Sequence, residues 1–292
     1  MFWALVLTLG FAVVEAVGGW WANSLALLGD AGHMFSDAVV LALAAAAMWF
    51  GRRPPSARHS YGLVRAEVIA AFFNCLLMLT VVTGIVIGAV QRLRSPEAAV
   101  VAGGTVTLVA FLGLMINIAV ALMLSHGEES LGKRGVLLHV LGDMLGSVAA
   151  LIAGAVIYFT GWTPIDPILS LLICVLILYS TLRLLREVLH VLMEGVPLHL
   201  DLNAVGLSLA KVDGVNSIHD LHIWTLASGV PALSAHVVLA DLSSWDAVLC
   251  EIQLLLHKRY AIEHVTLQPE LLAPLPPGGS AVIRILPKAK KS

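Results

Sequence analysis

Two histidine–aspartate pairs with identical spacing are the residues of this sequence best suited to chemistry. His33 and Asp37 form one pair, His139 and Asp143 form the other, and both read His-x-x-x-Asp. On an α-helix, residues four apart lie one turn apart on the same face, so each pair would present an imidazole beside a carboxylate. Two such helices facing each other would offer two nitrogens and two oxygens, a four-ligand tetrahedral set suited to zinc. The same donors would admit cobalt or cadmium.

Both pairs lie in apolar stretches long enough to cross a bilayer. The sequence of 292 residues is 59% hydrophobic and only 12% charged, whereas soluble domains carry about 25% charged residues. About 20 apolar residues span the hydrocarbon layer as a helix, and the sequence predicts six such helices. They cover approximately residues 1–22, 27–50, 66–91, 98–124, 134–160 and 166–189.

Ionisable groups inside membrane helices indicate function, because each costs about 2.5–3.5 kcal/mol on insertion scales. A single His-Asp pair could be a helix–helix hydrogen bond, but two pairs with the same spacing on different spans favour a metal site. Asp30 lies one turn before His33 and could join that face, or it could supply a favourable negative charge at the helix N-terminus. Other polar residues in the spans are interpreted as helix–helix hydrogen-bonding groups. They are Glu15, Asn74, Asn117 and Asp166.

After Pro197 the composition changes to that of a soluble domain. A helix over 201–212, strands over 215–226 and 232–240, a helix over 245–260 and a strand over 262–268 are predicted. Ser228-Gly229 is expected as the hairpin turn, and Ser243-Ser244 as the N-cap of the second helix. The fold class is therefore an α-helical membrane protein of six transmembrane helices followed by a small α+β unit of order α-β-β-α-β. The predicted boundaries are 1–195 for the membrane domain, 196–271 for the α+β domain and 272–292 for a disordered tail.

The distribution of Lys and Arg in short loops predicts that both termini are cytoplasmic. With that orientation the outside loops hold only Arg92 and Arg94, as the positive-inside rule requires. The inside segments hold Arg52, Arg53, Arg58, Arg65, Lys133, Arg134, Arg183 and Arg186.

Several separated motifs resemble one known family, the cation diffusion facilitators. The run from Ser24 to His33, ending at Asp37, is similar to the family's second helix, and Arg58-His59-Ser60-Tyr61-Gly62 with Arg65-Ala66-Glu67 is similar to the start of its third. The block His219-Asp220-Leu221-His222-Ile223-Trp224 is similar to a motif of its tail domain. The resemblance covers about residues 1–271 and is closest to the zinc/cobalt/cadmium efflux branch.

The resemblance implies a homodimer in a cell inner membrane that exchanges a divalent cation, Zn²⁺ foremost, for protons, with a ferredoxin-like cytoplasmic domain. It implies that His33, Asp37, His139 and Asp143 are the transport ligands. It also places cytoplasmic metal ligands at His219, His236 and Glu270, and His222 and His264 stand as further candidates. No prosthetic group and no nucleic-acid partner is expected.

Two loops depart from patterns found elsewhere in that family. The loop between the second and third spans offers His59 among arginines, with Leu63 in place of a second histidine, so no metal site is predicted there. The loop between the fourth and fifth spans has only His126 with Glu128 and Glu129, and is interpreted as solvated. Two other classes of function remain as alternatives: an intramembrane metalloenzyme, which would keep an open zinc position for water, and a membrane-anchored metal sensor.

Overall fold

The computed structural model describes residues 2–51, 56–95, 100–125, 131–227 and 229–271. Within these, the backbone but not the side chains is described for residues 2–5, 37, 40–41, 43–51, 121, 123–125, 131–143 and 227. The chain divides into two compact units, Met1–Trp49 with Ile69–Arg186 and Phe50–Val68 with Glu187–Ser292.

Six long helices occupy the first two thirds of the described chain, as the sequence predicts. They are α1 (Phe2–Ala22), α2 (Leu25–Gly51), α3 (Ala66–Arg94), α4 (Gly103–Ser125), α5 (Leu131–Thr160) and α6 (Ile165–Leu192). Among residues with described side chains, Ala66–Arg94, Gly103–Val120 and Ile165–Leu192 are long and apolar enough to cross a membrane, and Val6–Ala22 and Met144–Thr160 are shorter apolar helices.

Small residues allow the helices of the first unit to approach closely. A Cβ at Gly154 of α5 would lie 2.6 Å from the backbone nitrogen of Thr107 of α4, and one at Gly18 of α1 would lie 2.9 Å from Val109. Such small-residue contacts are typical of membrane helix packing. Earlier residues of α1 contact later residues of α4, and the same is true of earlier residues of α5. Helix α4 therefore runs antiparallel to both.

Helix α2 packs antiparallel along α3. A Cβ at Gly29 would contact Ile85, one at Gly32 would contact Val81, and one at Gly88 would contact Leu25. One stripe of α2, at positions 25, 29, 32 and 36, therefore faces α3.

The N-terminus of α2 is capped by a residue from another helix. Asp166, in the first turn of α6, is fully buried and accepts hydrogen bonds from the Ser24 hydroxyl (2.5 Å) and the Leu25 amide (2.9 Å). Arg92 of α3 lies 3.5 Å from the same carboxylate and donates to the Asn23 carbonyl. Asn23 has a positive φ of 53°, which Asn tolerates better than most residues. This junction fixes α2, α3 and α6 at one end of the first unit.

The second unit contains a small α+β fold that confirms the predicted α-β-β-α-β order. It consists of α7 (Leu202–Leu209), β1 (Val215–Ala227), β2 (Val230–Leu239), α8 (Trp245–Tyr260) and β3 (His264–Leu271). The described strands form a sheet of order β1-β2-β3, antiparallel between β1 and β2 and parallel between β2 and β3. Helix α8 makes the crossover that a parallel pair needs, and buries Val248, Ile252 and Leu256 in the core.

The structure corrects two local details predicted for this domain. The last strand begins at His264 and reaches Leu271, later than the predicted 262–268, because Ala261 takes a left-handed conformation at the end of α8 and Ile262 turns into the core. The capping carboxylate before α8 is Asp241, which accepts a hydrogen bond from the Ser243 amide and starts a 3-10 turn, Leu242–Ser244. Ser244 is the N-cap residue of α8, within the predicted pair, but its side chain makes no capping hydrogen bond.

Candidate metal centre

The first candidate centre involves the two His-x-x-x-Asp pairs. His33 and Asp37 are on α2, and His139 and Asp143 are on α5. The imidazole of His33 belongs to a half-buried residue. The side chains of Asp37, His139 and Asp143 lie outside the described residues, and only their helical backbone is described.

A buried aspartate joins α2 to α5 beside these pairs. Asp30 is 1% exposed, and its Oδ2 accepts a hydrogen bond from the Ser147 hydroxyl of α5 at 3.3 Å. A Cβ at Gly146 would overlap the Asp30 carboxylate, since its distance to the carboxyl carbon alone would be 3.1 Å. Asn117 of α4 completes the chain by donating to Ser147 at 3.1 Å. Asp30 lies in the second turn of α2, and the carboxylate that caps that helix is Asp166.

The Asp30 contact sets the relative depth of the two pairs. Helix α4 is antiparallel to both α1 and α5, so α1 and α5 run in the same direction. The tight turn at Asn23 reverses the chain between α1 and α2, so α2 and α5 are antiparallel. At about 1.5 Å per residue, His33 is about 4.5 Å beyond Asp30, and Asp143 is about 6 Å from Ser147 in the same direction. By the same arithmetic Asp37 is at about 10.5 Å and His139 at about 12 Å. The backbones of the two pairs are therefore at matching depths.

The second candidate centre is a cluster on the outer face of the three-stranded sheet. His219 of β1 and His236 of β2 are directly opposite each other, with ring centroids 5.0 Å apart. Glu270 of β3 bridges them, with Oε2 2.8 Å from His219 Nε2 and Oε1 2.7 Å from His236 Nδ1. One ligand atom from each of the three lies within 4.8 Å of the others. A carboxylate and two imidazoles in this arrangement can hold a zinc-type cation and leave one position open.

A β-bulge shapes this cluster and brings in a residue that the sequence reasoning missed. Between His219 and His222 the register shifts by one residue against β2, and Asp220 takes a φ of 51°. Because of this bulge, His219 and His222 both lie on the outer face instead of opposite faces. The Asp220 carboxylate lies 2.9 Å from His222 Nε2 and 3.7 Å from His236 Nε2.

The histidines keep both carboxylates of the cluster ionised. Burial raises the pKa of the Glu270 carboxyl, but hydrogen bonds from His219 and His236 outweigh burial, so the pKa lies below the ordinary glutamate value. The hydrogen bond from His222, aided by the positive potential of the neighbouring histidines, lowers the pKa of Asp220. An ionised carboxylate is the form that binds a metal.

The other candidate histidines are distributed differently. His264 lies at the opposite end of β3 from Glu270, and its ring contacts Tyr61 edge-on at 5.4 Å between centroids. His59 is exposed and belongs to no possible metal cluster among the described residues. His126, Glu128 and Glu129 lie outside the described residues.

A bundle of long apolar helices with paired imidazoles and carboxylates, followed by a small α+β unit with its own imidazole–carboxylate cluster, defines a membrane protein that handles metal cations. Residues 1–193 match the family model described as the cation efflux transmembrane domain. Residues 197–271 match the model described as the cation efflux protein, cytoplasmic domain. The chain belongs to this cation efflux family, the cation diffusion facilitators, and is a metal cation efflux transporter.

Named relatives are similar over nearly the whole chain. The zinc transporter ZitB of Escherichia coli (strain K12) is 41% identical over 92% of this chain and 86% of its own length. The cadmium, cobalt and zinc/H(+)-K(+) antiporter of Bacillus velezensis is 37% identical over 92% of this chain and 87% of its own. The metal cation efflux system protein CzcD of Cupriavidus metallidurans is 42% identical over 92% and 85%. The solved metal-bound C-terminal domain of the CzcD transporter is 42% identical, covering 25% of this chain and 100% of that one, with a TM-score of 0.23.

Proposed function

We propose that this protein exports Zn²⁺ from the cytoplasm in exchange for protons, by alternating access to a four-ligand site formed by His33, Asp37, His139 and Asp143. Cd²⁺ and Co²⁺ are accepted by the same donors. The main support for the proposal is the hydrogen bond between Ser147 and Asp30. It holds α2 and α5 in a register that puts the backbones of the two His-x-x-x-Asp pairs at the same depth along the helices. The names of the relatives agree, since they include a zinc transporter and a cadmium, cobalt and zinc antiporter.

Proton exchange follows from the chemistry of the ligands. Metal binding requires neutral imidazole and ionised carboxylate, so Zn²⁺ entering the site displaces protons from it. Imidazole titrates near neutral pH, with an ordinary pKa of about 6.5. A site that opens to the more acidic side therefore takes up protons and releases metal, and one that opens to the cytoplasm releases protons and binds metal.

The cytoplasmic cluster is proposed as a second, non-transport zinc site. His219, His236 and Glu270 supply the ligands, and their spacing of 4.8 Å or less suits a single ion. The ionised state of Glu270 favours occupancy near neutral pH.

The remaining organisation is also proposed. The membrane domain covers residues 1–195, the cytoplasmic α+β domain covers 196–271, and the tail covers 272–292. Both termini face the cytoplasm of a cell whose inner membrane holds the protein, on the charge distribution of the loops. The protein functions as a homodimer through its cytoplasmic domain. It needs no prosthetic group and has no nucleic-acid partner.

Metal-driven proton flux in proteoliposomes tests the transport proposal. Purified protein is reconstituted with a pH-sensitive dye inside the vesicles, and a zinc gradient is applied. Wild type is expected to move protons against zinc, whereas Asp143→Ala and His33→Ala are expected to move none while remaining folded. The matched control is His257→Ala, which removes an exposed histidine of α8 and is expected to keep wild-type flux. Undiminished flux in Asp143→Ala would remove the basis of the proposal.

A further inference from the structure

Asn74 of α3 carries a buried oxygen that has no hydrogen-bond donor among the described residues. Its side chain is 5% exposed, and Asn74 Oδ1 has no hydrogen-bond partner within the described part of the chain. Its Nδ2 donates to the Ser36 hydroxyl of α2 at 2.7 Å. With the amide nitrogen in this bond, the carbonyl oxygen has no partner in the described part of the chain.

Such an oxygen is costly to keep. Leaving a buried acceptor unsatisfied costs about 1–3 kcal/mol in a protein interior, and membrane interiors offer no bulk water to offset that cost. A buried carbonyl that finds no protein donor is usually satisfied by an ordered water or an ion. The polar pair Asn74–Ser36 lies in the α2–α3 interface, where a Cβ at Gly29, Gly32 or Gly88 would meet only apolar side chains.

The position of this oxygen points to the transported ion. Ser36 is three residues after His33 and directly precedes Asp37. At about 1.5 Å per residue, Ser36 lies about 9 Å beyond Asp30, between the depths of His33 and Asp37. Asn74 thus brings a carbonyl oxygen from a third helix to the depth of the proposed transport site.

We infer that Asn74 Oδ1 contacts the transported cation, or its bound water, as the ion passes to or from the four-ligand site, and that Asn74 is a selectivity-determining residue of the transport path. This inference rests on the proposed function. A neutral carbonyl oxygen favours harder cations, whereas imidazole also suits softer ones. The oxygen therefore favours Zn²⁺ over the softer Cd²⁺, and its loss weakens Zn²⁺ transport more than Cd²⁺ transport.

The test compares zinc and cadmium transport kinetics in proteoliposomes for wild type, Asn74→Leu and the double variant Asn74→Leu/Ser36→Ala. Replacing both members of a buried hydrogen bond by apolar groups of similar shape is nearly neutral for stability, so the double variant keeps the fold if the single one does not. Thermal unfolding in detergent verifies this. Thr83→Val is the control, because its exposed hydroxyl on α3 bonds only to the backbone of its own helix.

The expected result is a KM for Zn²⁺ raised about tenfold in both Asn74 variants, the factor equivalent to 1.4 kcal/mol, with a smaller rise for Cd²⁺ and no change in Thr83→Val. Unchanged zinc kinetics would overturn the inference. An equal loss for both metals would also overturn it, because a purely structural role gives no change in the Zn²⁺/Cd²⁺ ratio. If wild type transports neither metal although all the variants fold, the transport proposal itself is wrong. This result differs from a failure of the inference alone, in which wild type still transports zinc.

Discussion

The carboxylate of Asp30 occupies the space that a side chain at Gly146 would fill. Helices α2 and α5 approach closely at this point because one of them has no Cβ there, and the Ser147 hydroxyl beside it donates to the same carboxylate. The two His-x-x-x-Asp pairs extend from this contact in the same direction along antiparallel helices. The depth match on which the transport proposal depends is therefore set by one glycine and one aspartate.

Gly146→Ala should disturb this register. The new methyl group would overlap the Asp30 carboxylate, and overpacking of this kind costs about 1–3 kcal/mol. We expect a lower melting temperature in detergent and a loss of most zinc transport. Gly84→Ala on α3 is the matched control, because no atom of the described residues lies within 4 Å of its Cβ position. Equal behaviour of the two alanine variants would show that the Asp30 contact does not set the register.

Asp166→Ala should destabilise the protein at the N-terminus of α2. The substitution removes the acceptor for Ser24 and for the Leu25 amide, and leaves Arg92, whose guanidinium is mostly buried, without its carboxylate. Breaking a buried ion pair by removing one partner costs about 3–5 kcal/mol. We expect a corresponding fall in the free energy of unfolding, measured by denaturant titration in detergent.

Asp166→Asn should recover part of that stability. The amide keeps one oxygen that can accept from the backbone of α2 but lacks the charge that faces Arg92. An intermediate free energy of unfolding is expected. If the asparagine variant is as unstable as the alanine variant, the capping hydrogen bonds contribute little and the account of this junction is wrong.

Glu270 should make the stability of the metal-free protein depend on pH in the acid range. Hydrogen bonds from His219 and His236 lower the pKa of Glu270 in the folded state against the opposing effect of burial. A lowered folded pKa means that the unfolded state binds the proton more tightly, so this stabilisation is present above the ordinary glutamate pKa of about 4.3 and is lost as the pH falls through the folded value. Thermal unfolding with chelator between neutral and acid pH should show a steeper fall for wild type than for Glu270→Gln. Parallel curves would contradict the predicted linkage.

Asp220→Asn should weaken zinc binding at the cytoplasmic cluster without undoing the bulge. Asparagine accepts a positive φ nearly as well as aspartate, but the charge that faces His222 and His236 is lost. Removing a group that orients a metal-binding histidine typically lowers affinity about 10–100-fold. Calorimetric zinc titration of full-length protein in the Asp143→Ala background should show this loss. An unchanged affinity would mean that Asp220 serves only the backbone.

The fold was largely predictable because it follows from the apolar composition of long stretches of the sequence. Six apolar runs require six helices when lipid is the solvent, and the alternating pattern after Pro197 predicted the strands. Helix ends were less accurate: α4 begins at Gly103 rather than near residue 98, because an apolar run does not stop where a helix does.

The details of the cytoplasmic cluster were less predictable. His219, His236 and Glu270 were proposed from the family resemblance, and the structure brings them together. Asp220 was missed because strict alternation places it on the opposite face from His219. The signal was present in the spacing of the buried apolar residues Ile218, Leu221 and Ile223, which changes parity at Asp220 as a bulge requires.

Asn74 and Asp30 show the limit of sequence reasoning within the membrane helices. The prediction that Asn74 makes a helix–helix hydrogen bond was correct for its amide nitrogen, which donates to Ser36. Whether its carbonyl oxygen also finds a donor depends on which residues pack against α3, and the sequence does not give that packing. Asp30 accepts a hydrogen bond from Ser147 of α5, whereas the carboxylate that caps the N-terminus of α2 is Asp166 of α6. Neither partner is near in sequence, so only the packing of helices identifies it.

X-ray absorption spectroscopy of bound zinc can show whether the four proposed side chains hold one ion. The sample is full-length protein with the cytoplasmic cluster removed by His219→Ala, His236→Ala and Glu270→Ala, loaded with one equivalent of Zn²⁺. We expect a four-coordinate ion with two imidazole nitrogens and two carboxylate oxygens at about 2.0–2.2 Å. We expect this zinc to be absent when His33 or Asp143 is also replaced by alanine. A zinc ion with sulfur ligands, or one that stays bound unchanged without His33 and Asp143, would contradict it.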